Sequence, residues 1–594
     1  MSTTQPRFSN LVDLFQFAIE QYGDRDAYGT LVGQDWQWTS YRQLASFVDH
    51  CRAGLAQLGV GRNDRVAIIS DNRIEWVITA HATYGRRAIV VPMYEAQGEA
   101  DWSYILGDVG AKVCLVANRA IAQRVDALRE DLLDLQHIIT FDGEASEPDS
   151  FAALLTRGAQ RDIKVRQAID KDIATIIYTS GTTGEPKGVR LTHTNLASQA
   201  CLLADNRDYG EDPRSMAFLG WAHVFGGGVE LNVGLLIGSA VAICKNTDQL
   251  YSEMPRVQPT MLYAVPRVWT QIYYNVQRDL SEEPDLSRRI FENGVHLRGK
   301  LARGESLTLS ERMIANVARR IVGAKLKGRL GGRLRLAFSG AASLPMEVAT
   351  FMASVGVPIH EGYGLTECSG STSTNPSGAV RLGTVGRPLP GTRVDIDDSV
   401  VDEDDVEHAG HGEVIIHGPG VMAGYHNKPE ATAEVLMADG GLRTGDIGFI
   451  DEDGYLHITG RIKELYKLNN GRYVAPAPLE AKLKLSPFIE QCLVYGAGQA
   501  RNVALIVVDV PALQSYLGDV SRTPQELVAD PRTRRLLEEE ILKYSRDFKT
   551  FELIHNFWLE TEELGLEHGM MTQTMKLKRQ RVLRKYEGRL LSLY

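Results

Sequence analysis

Residues 178–188 read YTSGTTGEPKG, in which hydroxyls, glycines and one lysine follow directly on the apolar run 173–177. Gly181, Gly184 and Gly188 lack the side chains that would keep a bulky anion from backbone N–H groups. Thr179, Ser180, Thr182 and Thr183 add hydroxyl donors and Lys187 adds a positive charge, a set suited to the phosphates of a nucleotide. A standard P-loop is disfavoured. That motif needs four residues between its glycines and then Lys-Ser/Thr, whereas here Gly181 and Gly184 are three apart and Lys187 precedes Gly188. A flexible surface turn is the bland alternative for such a composition.

Four further strings follow in order: FSGAASLP (338–345), EGYGLTE (361–367), RTGDIG (443–448) and GRIKEL (460–465). Together with the first they resemble the adenylate-forming, or AMP-binding, superfamily of acyl-CoA synthetases, peptide-synthetase adenylation domains and beetle luciferases. The resemblance covers most of the chain. It implies that backbone groups at Gly340 and Ala341 line the adenine, that Tyr363 stacks on it, and that Thr366 donates to the α-phosphate. Glu367 would hold Mg2+, and Asp446 and Arg461 would meet the ribose hydroxyls.

The reaction implied is attack of a carboxylate on the α-phosphorus of ATP. Two anions meet, so the site must neutralise charge and align the reactants rather than activate a nucleophile. GWAHVFGGGVELN (220–232) corresponds to the acyl-site motif, with His223 lining the reacting carboxylate and orienting it during thioester formation. PTMLYAVPRVWTQIYYN (259–275) is similar to the segment beside the acyl tunnel of fatty acyl-CoA synthetases, although core packing would produce the same pattern. Whether Trp221 or Trp269 plugs that tunnel is open at this stage.

In this superfamily a C-terminal domain pivots between two half-reactions. Lys463, in GRIKEL, is the expected hinge, and Gly471, in KLNNGRYVAPAPLE (467–480), the expected CoA-facing glycine. Asn469, Asn470, Gly471 and Arg472 replace the usual double glycine and Glu-Asn, a variant similar to the long-chain fatty acyl class. The adenylation lysine usually lies in Ser-Gly-Lys with arginine three residues on. The tail here reads MTQTMKLKRQRVLRKY (571–586), so Lys576, three residues before Arg579, takes the role and Lys578 is the runner-up. The reading is a long-chain fatty acid:CoA ligase that uses ATP, CoA and Mg2+. A ligase loading an acyl carrier protein and an inactive nucleotide- or lipid-binding regulator are the alternatives.

These residues need a large scaffold, and 594 residues at 44% hydrophobic can bury several cores. The net charge of -10 argues against a nucleic-acid surface. Six scattered cysteines fit buried thiols in a reducing compartment. The N-terminus lacks a signal-peptide core and the run 233–244 is too short to span a bilayer, so a cytoplasmic protein is expected, with peripheral membrane contact left open. Oligomeric state is unknown.

Short apolar runs such as RVAIIS (65–70) alternate with helix-like stretches such as NRIEWVITAHATYG (72–85), which is α/β wiring. The expected architecture is a large N-terminal domain, 1–462, of two α/β subdomains with mostly parallel sheets plus a small β subdomain at about 380–460. A smaller mobile α+β domain, 463–594, follows, and ligands belong at strand C-termini, where the first loop sits.

Overall fold

The structure is a computed structural model that describes residues 7–179, 185–281, 289, 293–294, 296–297, 300, 306–313, 327–400, 410–565, 568–572 and 576–594. Ser180, Gly181, Thr182, Thr183 and Gly184 therefore lie outside the described residues.

A six-stranded sheet runs in the order His137–Thr140, Val113–Val116, Arg65–Ile69, Ile89–Met93, Ile173–Thr179, Lys187–Thr192. Its first five strands are parallel and the sixth is antiparallel to the fifth. RVAII and VCLV read as unbroken apolar runs because both faces are covered. Alternate residues serve opposite cores: Val66 and Ile68 pack with Leu44, Val48 and Trp76, whereas Ala67 and Ile69 pack with Trp102 and Ile105.

The second α/β unit joins two sheets. Asp35–Ser40, Asp26–Val32, Ala240–Ile243 and Arg214–Ala217 form one, with the Ala240–Ile243 strand parallel to both neighbours. Met261–Ala264, Leu336–Ser339 and Ile359–Tyr363 are the parallel part of the other. Next comes an antiparallel sheet of Arg393–Asp397, Gly412–His417, Leu442–Ile450 and Leu456–Arg461. The turn between its last two strands carries Gly454 at φ +80°, a left-handed geometry that glycine adopts without strain.

The smaller C-terminal domain is α+β. Its three-stranded sheet of Ile489–Tyr495, Asn502–Val508 and Ile554–Glu560 is covered on one face by helices Pro476–Leu483 and Pro531–Ser545 and on the other by Arg579–Leu591. It contacts the large domain through Arg267–Glu490 at 2.8 Å and a Tyr274 hydroxyl donating to the Lys484 carbonyl at 3.3 Å. A Lys482–Glu347 ion pair adds to these, and Leu485 packs in the same core as Trp269 and Phe351.

Candidate active site

The phosphate-type loop joins two antiparallel strands, with Thr179 opposite Lys187 and Tyr178 opposite Gly188. Its exit strand is edged by a segment that the sequence reading had passed over. Ala423 N–H donates to the Arg190 carbonyl at 2.9 Å, Arg190 N–H to Gly424 at 3.0 Å, and His426 N–H to Gly188 at 2.7 Å. This pairing puts the Tyr425 ring 5.0 Å from the Lys187 ammonium, a cation–π contact. The Tyr425 hydroxyl donates to Glu367 Oε1 at 2.9 Å. One tyrosine thus links the loop lysine to the carboxylate of EGYGLTE. The GYHNKPE turn ahead of the helix Pro429–Val435 was the available signal, but only the strand pairing reveals its partner.

Glu367 lies in a short 3-10 turn, Thr366–Cys368, that follows the strand Ile359–Tyr363. The turn is tight: a Cβ on Gly364 would stand 2.5 Å from the Gly370 carbonyl. Thr366 is buried. At the end of the neighbouring strand, Ala341 takes φ +70°, a left-handed conformation that costs a side-chain-bearing residue about 1–3 kcal/mol. Gly340 is where Phe225 approaches; a Cβ there would sit 3.4 Å from the ring.

Asp446 and Arg461 face each other across two strands, with Arg461 Nε donating to Asp446 Oδ1 at 2.5 Å. Tyr363 Oη donates to Asp446 Oδ2 at 2.7 Å. Burial, then the Asp446 charge, pushes the Tyr363 hydroxyl well above its usual pKa, so it remains a donor. The aspartate, at 4% exposure, is fixed on both oxygens and retains further lone pairs.

His223 caps a π-helical stretch, Val224–Glu230, and its Nδ1 accepts the Phe225 N–H at 3.2 Å. Burial and then the Lys576 charge lower its pKa to about 4, so at neutral pH the ring is uncharged with its proton on Nε2. A Cβ on Gly227 would stand 2.2 Å from the Trp221 carbonyl, so this glycine permits the close backbone packing of the stretch. Trp221 and Trp269 are both core residues. The first packs on Tyr28 and Trp76 at 5.9 and 5.7 Å, and the second donates to the Phe338 carbonyl at 3.2 Å.

Lys576 reaches this cluster from the small domain. The residue is exposed, and the neighbouring charges of Arg461, Asp446 and Glu464 act on it. Desolvation and then the Arg461 charge lower its pKa, while Asp446 and Glu464 oppose the shift. Lys578 faces other charges, Arg581 and Asp101. The chain therefore joins Lys187, Tyr425 and Glu367 in one network and Tyr363, Asp446 and Arg461 in another, with the Lys576 charge acting on Arg461, Asp446 and His223. Lys463 lies exposed in the turn after Arg461, and Gly471, φ +83°, in an exposed turn of the small domain. Glu464 and Tyr425 were missed from sequence.

The AMP-binding enzyme family matches residues 15–426. The chain is 31% identical to a long-chain-fatty-acid–CoA ligase of Mycobacterium bovis, over 96% of this chain and 94% of the relative. It is 29% identical to the peroxisomal long chain acyl-CoA synthetase 7 of Arabidopsis thaliana, over 97% and 85%. Its fold is that of the adenylation domain of a carboxylate reductase from Mycobacterium chelonae, with a TM-score of 0.80 at 22% identity over 100% of this chain and 92% of that one. Carrying both the family match and the two networks that its motifs assemble, the chain belongs to the AMP-binding enzyme family.

Proposed function

We propose that this protein is an ATP-dependent long-chain fatty acid:CoA ligase that works through an acyl-AMP intermediate. What supports the reading is the Asp446 carboxylate fixed by Arg461 and Tyr363 at the strand pair that carries RTGDIG and GRIKEL, with the Lys576 charge of the small domain acting on it. The full-length likeness to long-chain ligases supports the substrate class.

In the first half-reaction Lys187 and the loop hydroxyls bind the phosphates, and Gly340, Ala341 and Tyr363 hold the adenine. Asp446 and Arg461 take the ribose. His223 Nε2–H donates to the fatty acid carboxylate and aims one oxygen at the α-phosphorus, opposite the departing pyrophosphate. Thr366 and Lys576 donate to phosphate oxygens, where preorganised charge stabilises the transition state most. Glu367 would hold the magnesium ion beside the substrate phosphates. Oε1 is oriented by Tyr425, and no cluster of three or more His, Cys, Asp or Glu among the described residues forms a protein-only cage. When bound, Mg2+ would neutralise phosphate charge. In the second half-reaction the small domain turns about Lys463 and presents the Gly471 turn to CoA. The thiol sulfur attacks the acyl carbonyl, AMP leaves with the bonding electrons, and the thiol proton passes to solvent.

No helix among the described residues is long and apolar enough to cross a membrane. In the basic tail Arg579, Lys585 and Arg589 pair with Glu480, Glu562 and Glu560, which reduces the charge available to an anionic lipid surface and favours a cytoplasmic enzyme with at most weak peripheral contact.

The test is product formation from ATP, Mg2+, CoA and carboxylates from two to twenty carbons. Thioester formed best with chains of twelve to eighteen carbons is expected. Acyl-AMP without thioester would replace the reading with carrier-protein loading, and ATP binding without turnover would replace it with a regulator.

A further inference from the structure

Lys576 lies on a stem whose two described ends are joined by an antiparallel bridge between Met571 and Leu577. Thr572 N–H donates to the Lys576 carbonyl at 2.7 Å, Lys576 N–H to Thr572 Oγ1 at 3.1 Å, and Lys578 N–H to the Met570 carbonyl at 2.7 Å. The helix Arg579–Leu591 then begins without a side-chain cap, since Lys578 supplies none. Arg579 holds this end instead. Its Nη1 donates to the Val494 carbonyl at 2.9 Å and its Nη2 to Glu480 Oε1 at 2.5 Å. The same Glu480 oxygen accepts the Val494 N–H at 2.6 Å. Guanidinium, carboxylate and one residue of the three-stranded sheet, Val494, thus close a ring.

The ring is shielded, with side-chain exposure of 16% for Arg579 and 11% for Glu480. Charge-assisted hydrogen bonds in such surroundings are stiff and directional. Arg579 follows Lys576 by three residues, so the two α-carbons lie within roughly 10 Å along the chain. A shift at the anchor therefore passes to the lysine with little slack. Glu464, on the turn after Arg461, stabilises the charges of both Lys576 and Arg579, which ties the stem to the expected hinge.

We propose that Glu480 is a positioning residue for the first half-reaction: acting through Arg579, it sets where the Lys576 ammonium stands relative to the nucleotide phosphates. This rests on the role assigned to Lys576 above. Among the described residues the Glu480 side chain hydrogen-bonds to Val494 and Arg579 and to none of those assigned to ATP, fatty acid or CoA; its work is done on the stem.

The experiment uses the full-length protein carrying Glu480→Gln, Glu480→Asp or Lys576→Ala, and Glu480→Gln combined with Lys576→Ala. Single-turnover acyl-AMP formation from hexadecanoate and ATP is compared with thioester formation from hexadecanoyl-AMP and CoA. A displacement near 1 Å costs on the order of 100-fold in rate, so Glu480→Gln is expected to slow acyl-AMP formation roughly 10- to 100-fold. The KM for ATP should change little, thioester formation should stay within about threefold of wild type, and Glu480→Asp should recover part of the loss. In the Lys576→Ala background Glu480→Gln should add nothing. Equal loss in both half-reactions, as from misfolding, overturns the proposal, and so does the same further loss when Lys576 is already gone. Unimpaired acyl-AMP formation by Lys576→Ala alone would instead overturn the lysine assignment on which the proposal rests.

Discussion

Replacing Asp446 with asparagine separates the charge of this residue from its shape. The carboxylate is held by Arg461 Nε at 2.5 Å and the Tyr363 hydroxyl at 2.7 Å. In the variant the amide oxygen stays with Arg461 and the amide nitrogen turns to Tyr363, whose hydroxyl switches from donor to acceptor, so the fold of the site is retained. What is lost is an anionic acceptor for a ribose hydroxyl. A hydrogen bond to a charged group contributes about 1.5–3 kcal/mol, which is roughly a 13- to 160-fold rise in the KM for ATP during acyl-AMP formation. The substitution also removes one of the two acids that hold up the Lys576 pKa, so the alkaline limb of the rate profile should move to lower pH. The control is a deoxyribose ATP analogue: wild type should lose much of its advantage with it, and Asp446→Asn should discriminate far less between the two nucleotides. An unchanged KM, or undiminished discrimination in the variant, refutes the ribose role.

Tyr425→Phe keeps the ring against Lys187 but leaves Glu367 Oε1 without its donor. Loss of an outer-shell partner typically costs 10- to 100-fold in metal affinity, so the free Mg2+ giving half-maximal pyrophosphate release should rise by about that factor; an unaltered titration contradicts the link. Burial holds His81 at about 3 and His193, His223 and His360 at about 4, against 6.5 for a free histidine. The unfolded chain therefore binds more protons between roughly pH 4 and 6.5, so their contribution to stability is full above that window and declines as pH falls through it. Buried Glu361, raised to about 7, and Glu230, also raised by burial, act in the opposite sense. The urea midpoint should therefore be lower at pH 5 than at pH 7 by less than four histidines alone would give, and a higher midpoint at pH 5 speaks against four neutral buried rings. Gly364→Ala forces a methyl to within 2.5 Å of the Gly370 carbonyl and should cost about 1–3 kcal/mol in urea unfolding while displacing Thr366 and Glu367. Wild-type stability and turnover would show the turn to be slack.

The contiguous strings were legible because phosphate and ribose recognition needs several donors on one short segment. Lys187 was picked out from its loop in this way, whereas Thr366, Glu367, Asp446 and Arg461 were assigned through the resemblance of their strings to the AMP-binding family; the parallel strands were readable from runs such as RVAII and VCLV. Tyr425 was not, because its relation to Lys187 and Glu367 arises from pairing of residues 423–426 with 188–190, which no local pattern encodes. The choice of Lys576 over Lys578 rested on its spacing to Arg579, and the contact of Arg579 with Glu480 is visible only in the structure. The hairpin Asp26–Ser40 also went unread, since DWQWTS lies on a sheet edge and half-exposed, with a mixed pattern. His223 was found from its motif, but its neutrality and tautomer follow only from burial and the Phe225 N–H.

The most direct test of the account is exchange of labelled pyrophosphate into ATP by the purified protein with Mg2+ and hexadecanoate, in the absence of CoA. A reversible acyl-AMP step predicts exchange that depends on the fatty acid, vanishes without it, and gives way to hexadecanoyl-CoA and AMP when CoA is added. Thioester formation with no exchange before CoA arrives, or with ADP as the nucleotide product, would contradict it.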